Sequence, residues 1–130
     1  MRLPTLLLRR KPDSHKGDFG HIFMLAGSTR YSGAAVLCAS AAMRSGAGMV
    51  TLGLPRSLVN PVIKIKPVEI MLLPLEETKE GTIAASAYKK AAGFAERTDV
   101  VVLGPGMTTE PSTGTFIKKM VRSLSKPLIL

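Results

Sequence analysis

The sequence predicts an α/β fold in which a mostly parallel sheet is sandwiched between helices. Three observations carry this reading. Short apolar runs alternate with longer segments whose apolar residues recur at helical spacing. The strand-like runs are apolar on both faces, as strands covered above and below must be. Glycine-bearing turns punctuate the alternation, and no repeat, heptad array or linker divides the 130 residues, a length that suits one domain of about 100–200 residues.

The elements follow in order. His21 to Ala26 (HIFMLA) reads as a buried strand closed by Gly27-Ser28. Gly33 to Ser45 reads as an Ala-rich helix, apolar nearly all round and therefore expected to be buried, and ended by Gly46 and Gly48. Met49 to Leu54 is a second strand, stopped by Pro55. Residues 57–66 stay open between helix and loop, because Pro61 interrupts any helix there. Val68 to Leu75 reads as a strand with Pro74 near its end. Thr82 to Arg97 has helical spacing, with Ile83, Ala87, Tyr88, Ala91, Phe94 and Ala95 on one face. Asp99 to Leu103 is the clearest strand, broken by Gly104-Pro105-Gly106. Ser112 or Thr113 is expected to cap a helix whose Phe116, Ile117, Met120, Val121 and Leu124 face inward, with Lys118, Lys119 and Arg122 in water. Pro127 to Leu130 begins a further strand, and the chain stops inside that apolar run, so a cut rather than a natural terminus is expected.

Composition bounds the function. Hydrophobic residues make up 45% of the chain, which excludes a disordered protein. One cysteine, Cys38, excludes a disulfide framework or a cysteine-rich zinc site and suggests a reducing compartment; mid-helix, it reads as a small core residue. The net charge of +9 favours an anionic partner. The basic residues are scattered and aromatics are only 5%, with no Trp, so nucleic acid is not the expected partner. Leu6, Leu7 and Leu8 are too short a run for a secretory segment, and no run approaches a membrane span, so a cytoplasmic protein without a membrane partner is expected.

Of three glycine-bearing turns, two are candidate ligand contacts. Gly27 to Ala34 lies between a strand and the Ala-rich helix, where a helix N-terminus can present free N–H groups to an anion. Gly33 and Ala34 leave room for close approach, although plain tight turns use glycine equally. The segment is neither a Walker A loop nor GxGxxG. Gly104-Pro105-Gly106 exposes bare backbone at a strand's carboxyl end, whereas Gly46-Ala47-Gly48 precedes a strand and reads as structural. His15 with Asp18 could suggest acid–base chemistry, but an exposed pair is the favoured reading; Lys16 is the better anion contact. His21 is expected to pack or cap. Glu76, Glu77 and Glu80 read as complements of a following helix dipole. No Cys/His/Asp/Glu cluster has metal-ligand spacing, so no metal site is expected.

Five segments together resemble one family: His15-Lys16-Gly17-Asp18-Phe19-Gly20, MLAGS, SGAAVLCASAAMRSGAGMVTLGLP, VVVLGPGM and KPLIL. They are similar to the ADP/ATP-dependent NAD(P)H-hydrate dehydratases, over almost the whole chain from about Arg10 onward. The resemblance implies a ribokinase-like three-layer α/β/α sandwich. It also implies repair of NADHX and NADPHX: a phosphoryl group passes from ADP or ATP, with Mg²⁺, to the hydrate's hydroxyl, and phosphate then leaves. ADP is implied by likeness to bacterial members. The family's substrate contacts fall on Ala34 and Gly106, with Gly33 and Gly104 as neighbours. In the family the KPLIL strand runs on into an Asp-Ala-Asp-like segment, a site histidine, the nucleotide-binding stretch and a Gly-Thr-Gly-Asp helix start. None of these occurs here, nor does a fused epimerase domain. The chain is thus similar to the N-terminal portion of one such domain, with residues 1–20 as a lead-in. No catalytic, nucleotide-binding or metal-binding residue is expected in it, and a homo-oligomer is expected of the full-length enzyme. A hydroxyethylthiazole-type kinase of the same fold, or a non-catalytic dinucleotide-binding chain, are the competing readings.

Overall fold

Among the described residues five strands form one sheet: β1 (His21–Leu25), β2 (Met49–Pro55), β3 (Met71–Leu75), β4 (Val100–Leu103) and β5 (Leu128–Ile129). The computed structural model describes residues 10–130, so Leu6, Leu7 and Leu8 lie outside the described residues. All strand pairs are parallel, in the order β3-β2-β1-β4-β5. The central strand β1 ends level with its neighbours, Leu25 pairing with Gly53 on one side and Leu103 on the other.

Helices cover both faces, as buried parallel strands require. On one face α1 (Ser32–Arg44) and α2 (Val59–Ile63) pack Ala35, Ala39 and Val62 against Met24, Val50, Leu52 and Leu54. On the other, α3 (Tyr88–Ala95) and α4 (Pro111–Ser123) pack Ala91, Ala95, Phe116 and Met120 against Phe23, Leu25, Val101 and Leu103. Gly53 lies inside β2 because a Cβ there would come within 2.9–3.2 Å of Leu25, Phe23 and Leu75, which fill that layer.

The structure corrects several expectations. Only one side of α1 is buried; Leu37 on the other side is 72% exposed, so the helix is not covered all round. Val121 of α4 is also on the outer side, at 41% exposure. Pro55 does not stop β2 early but is its last residue, paired with Leu75. β3 starts at Met71 rather than Val68 and keeps Pro74, which an edge strand tolerates because its N–H side needs no partner. Residues 56–63 are helical despite Pro61, as a short 3₁₀ turn (Arg56–Leu58) running into α2. Thr82–Ala84 are not helical: Ile83 bridges Glu77 and the Ala84 N–H donates to the Glu76 carbonyl, so the helix begins with a 3₁₀ turn at Ala85.

The cap of α4 is Glu110, whose carboxylate accepts from the Thr113 N–H at 2.9 Å, with Pro111 pre-set at the first helical position. Neither Ser112 nor Thr113 caps it. Their hydroxyls are turned across to the 82–85 segment, Ser112 Oγ accepting from the Ala85 N–H and Thr113 Oγ1 donating to the Ile83 carbonyl, both at 2.8 Å.

Candidate functional site

Between β1 and β4 the chain changes side. β1 leads to α1 on one face of the sheet, β4 leads to α4 on the other. Such a switch point opens a crevice outside the strands' carboxyl ends, where open parallel sheets bind ligands. The two loops that leave from it carry Gly27 to Ser32 and Gly104-Pro105-Gly106.

The structure fastens these two turns together. The Gly27 N–H donates to the Pro105 carbonyl at 2.8 Å, and the Ser28 hydroxyl donates to the Gly106 carbonyl at 2.8 Å. Ser28 is fully buried, and its Oγ also accepts from the Tyr31 N–H at 3.2 Å. Gly27, Gly104 and Gly106 all have positive φ, at 87°, 129° and 71°, a backbone that side-chain-bearing residues rarely adopt.

The four glycine-turn candidates are brought to one place, with different roles. A Cβ built on Gly106 would lie 2.6 Å from the Tyr31 carbonyl oxygen and 2.9 Å from the Ala34 Cβ. Gly106 and Ala34 are therefore packed against each other, and glycine at 106 lets the turns close. Gly33 and Gly104 differ: a Cβ on either would meet nothing within 4 Å. These two mark open space at the edge. α1 starts beside them directly from the 3₁₀ turn Thr29–Tyr31, and its own N-cap, Tyr31, supplies no side-chain hydrogen bond to its first turn.

The crossover from β3 to α3 walls the site on one side. The Thr29 N–H donates to the Gly81 carbonyl at 2.9 Å, and a Cβ on Gly81 would overlap the Thr29 hydroxyl. Buried hydroxyls hold this segment: Thr82 Oγ1 lies 2.8 Å from both Thr78 Oγ1 and Thr113 Oγ1. Glu77 does not serve the following helix. Its carboxylate accepts from the Ser57 N–H and hydroxyl at 2.9 and 2.8 Å, and so complements the N-terminal turn at residues 56–58 instead.

The remaining candidates lie at the opposite, amino edge. His15 and Asp18 cap the 3₁₀ turn Lys16–Phe19, the His15 N–H donating to Asp18 Oδ2 at 2.9 Å, and their side chains are exposed. Lys16 sits in the same turn, away from the glycine crevice, and its carbonyl fills the space a Gly48 Cβ would need. His21 packs edge-on against Phe94 and shares a 2.8 Å hydrogen bond with Thr51 Oγ1. Burial lowers its pKa, against a smaller opposing pull from Asp99. Cys38 is half-buried beside the core. A hollow of about 440 Å³ opens here between Ala42, Ala47, Val102 and Ile129, but its walls are almost wholly apolar and offer little to an anionic ligand.

Sequence reasoning missed Ser28 as the post between the turns. Its signal was available: a serine directly ahead of a helical turn is an N-cap pattern, and Ser28 does cap the 3₁₀ turn Thr29–Tyr31, accepting from the Tyr31 N–H three residues on. The link to Gly106, 78 residues away, had no local signal.

The parallel sheet with helices on both faces is a ribokinase-like fold. A ribokinase-like superfamily protein from Enterococcus faecalis superposes with a TM-score of 0.74 at 22% identity, covering 92% of this chain and 39% of that one. The profile of the NAD(P)H-hydrate dehydratase family matches residues 22–130, and the chain belongs to that family. It is 36% identical over 127 residues to a bifunctional NAD(P)H-hydrate repair enzyme Nnr of Thermofilum pendens, covering 98% of this chain and 24% of that protein. It is 30% identical to the ADP-dependent (S)-NAD(P)H-hydrate dehydratase of Streptococcus pneumoniae, covering 98% of this chain and 40% of that protein. The ADP/ATP-dependent NAD(P)H-hydrate dehydratase of Bacillus subtilis, crystallised with ATP and Mg²⁺, superposes with a TM-score of 0.70 at 27% identity, covering 92% of this chain and 39% of that one. The chain thus spans about a quarter of its bifunctional relatives and about two fifths of the dehydratase. No helix among the described residues is long and apolar enough to cross a membrane.

Proposed function

We propose that residues 1–130 are the hydrate-binding N-terminal portion of a nucleotide-dependent NAD(P)H-hydrate dehydratase domain, acting on NADHX and NADPHX. The observation that carries this is the pair of cross-linked glycine turns at the switch point, beside the start of α1. Ala34 and Gly106 form the floor of the hydrate site, and Gly33 and Gly104 supply the open space next to it. The α1 N–H groups and the net charge of +9 suit the dinucleotide's phosphates.

ADP or ATP with Mg²⁺ is the phosphoryl donor in this reading, and such an Mg²⁺ is held by one or two carboxylates together with the donor's phosphates. No phosphoryl-transfer step is assigned to this chain. Its part is binding and orientation, with the donor, Mg²⁺ and proton acceptor held by sequence that longer relatives carry. A cytoplasmic setting and a homo-oligomeric full-length enzyme belong to the same proposal.

The test is to titrate the 130-residue chain with NADPHX and to assay repair with ADP or ATP. Binding without turnover is expected. Nucleotide-dependent turnover would overturn the division of labour, and absence of hydrate binding would overturn the site.

A further inference from the structure

Among the described residues Tyr31 is the one exposed tyrosine or phenylalanine, at 49% exposure; Phe23 and Phe116 are buried and Phe19, Tyr88 and Phe94 are half-buried. Tyr31 stands at the mouth of the crevice, as the residue before α1 and two before the open space at Gly33. Its backbone is held from three sides. Its N–H donates to the Ser28 carbonyl at 3.0 Å and to Ser28 Oγ at 3.2 Å, and its carbonyl and Cβ abut Gly106. The buried Ser28 thus fixes an exposed ring on a rigid base. The Arg30 guanidinium lies 5.8 Å from the ring centroid, within cation–π range, and adds positive charge on the same patch.

We infer that Tyr31 is a positioning residue: its ring is a stacking platform for a planar ring of the dinucleotide, and Arg30 beside it draws the attached phosphate. This rests on the reading of the carboxyl edge as the dinucleotide site. Two ends of the ligand could use the platform, the nicotinamide-derived ring or the planar adenine, each joined through ribose to the diphosphate.

The experiment uses the whole 130-residue chain with two probes, NADPH and 2′-phospho-ADP-ribose, the second lacking only the nicotinamide ring. Affinities are measured for the native chain, Tyr31→Phe, Tyr31→Ala and Gly33→Leu, each checked for native melting. Tyr31→Phe should bind as the native chain does, and Tyr31→Ala about tenfold more weakly, the loss of one stacked base. Equal losses for both probes assign the platform to adenine; a loss for NADPH alone assigns it to the nicotinamide end. The chain has two tyrosines and no tryptophan, so in a Tyr88→Phe background Tyr31 alone reports its own contact. Its fluorescence should fall on binding, a signal that a merely structural role would not give. Unchanged binding by Tyr31→Ala together with a loss in Gly33→Leu would overturn the platform and leave the site standing. Unchanged binding by both variants would overturn the site as well, and a native chain that binds neither probe would overturn the platform.

Discussion

The two edges of the sheet use glycine for opposite ends. At the amino edge, Gly48 is overlaid by the Lys16 carbonyl, and its N–H donates to the Phe19 carbonyl at 3.1 Å. Glycine there lets backbone pack on backbone, and the space is consumed. At the carboxyl edge, Gly106 does the same for the two turns, yet Gly33 and Gly104 face nothing within 4 Å. A glycine-rich turn is therefore a statement about close approach, and only the neighbour decides whether protein or ligand approaches.

This contrast can be broken most forcefully at Gly48. Gly48→Ala forces a Cβ into a backbone carbonyl that cannot swing aside. We expect a loss of about 3 kcal/mol, read as a fall in melting temperature of about 10 °C. A shift within error would show that the lead-in turn is not fastened to β2.

The next largest effect is expected at the other edge. Ser28→Ala removes the donor to the Gly106 carbonyl and one acceptor of the Tyr31 N–H, in a fully buried position. The cost is about 2 kcal/mol, by chemical denaturation, together with weakened NADPH binding as the turns part. A stable variant that binds normally would remove Ser28 as the post.

Gly33→Leu should leave stability nearly unchanged, because its side chain enters open space and leucine favours a helix more than glycine does. Its binding of NADPH should nevertheless drop about tenfold or more if that space belongs to the ligand. Equal affinity would move the ligand elsewhere.

The smallest effect concerns pH at the amino edge. His21 has a folded pKa below its unfolded value of 6.5, chiefly through burial. The unfolded chain then takes up the proton first. The stability that His21 contributes is fully present above about pH 6.5 and is lost as pH falls through the lower folded value. Urea midpoints at pH 7.5 and 5.5 should therefore differ more in the native chain than in His21→Gln. Parallel pH profiles would show that the ring's setting leaves its titration unaltered.

Much of the fold was legible because buried parallel strands are short, apolar on both faces and rich in β-branched residues; DVVVL announces β4 with no help from its surroundings. Boundaries failed where a distant partner outbid local preference. Thr82–Ala84 have helical spacing but spend their backbone groups on Glu76 and Thr78 across the loop. Ser112 and Thr113 have the chemistry of caps but spend their hydroxyls on Ala85 and Ile83. Leu37 fits a buried pattern, yet α1 meets the sheet along Ala35 and Ala39, flanked by the half-buried Val36, Cys38, Ala42 and Met43, and Leu37 points away from them.

The sequence by itself determined the alternation of strands and helices, the parallel sheet, and which segments carry glycine turns, because these follow from periodicity and backbone freedom. Tertiary structure alone decided which of those turns meet. Gly27 and Pro105, Ser28 and Gly106 are each 78 residues apart, and they touch because β1 and β4 are neighbours that end at the same level. Strand order is set by how whole layers pack, which no local pattern encodes, and the crevice exists only once that order is fixed.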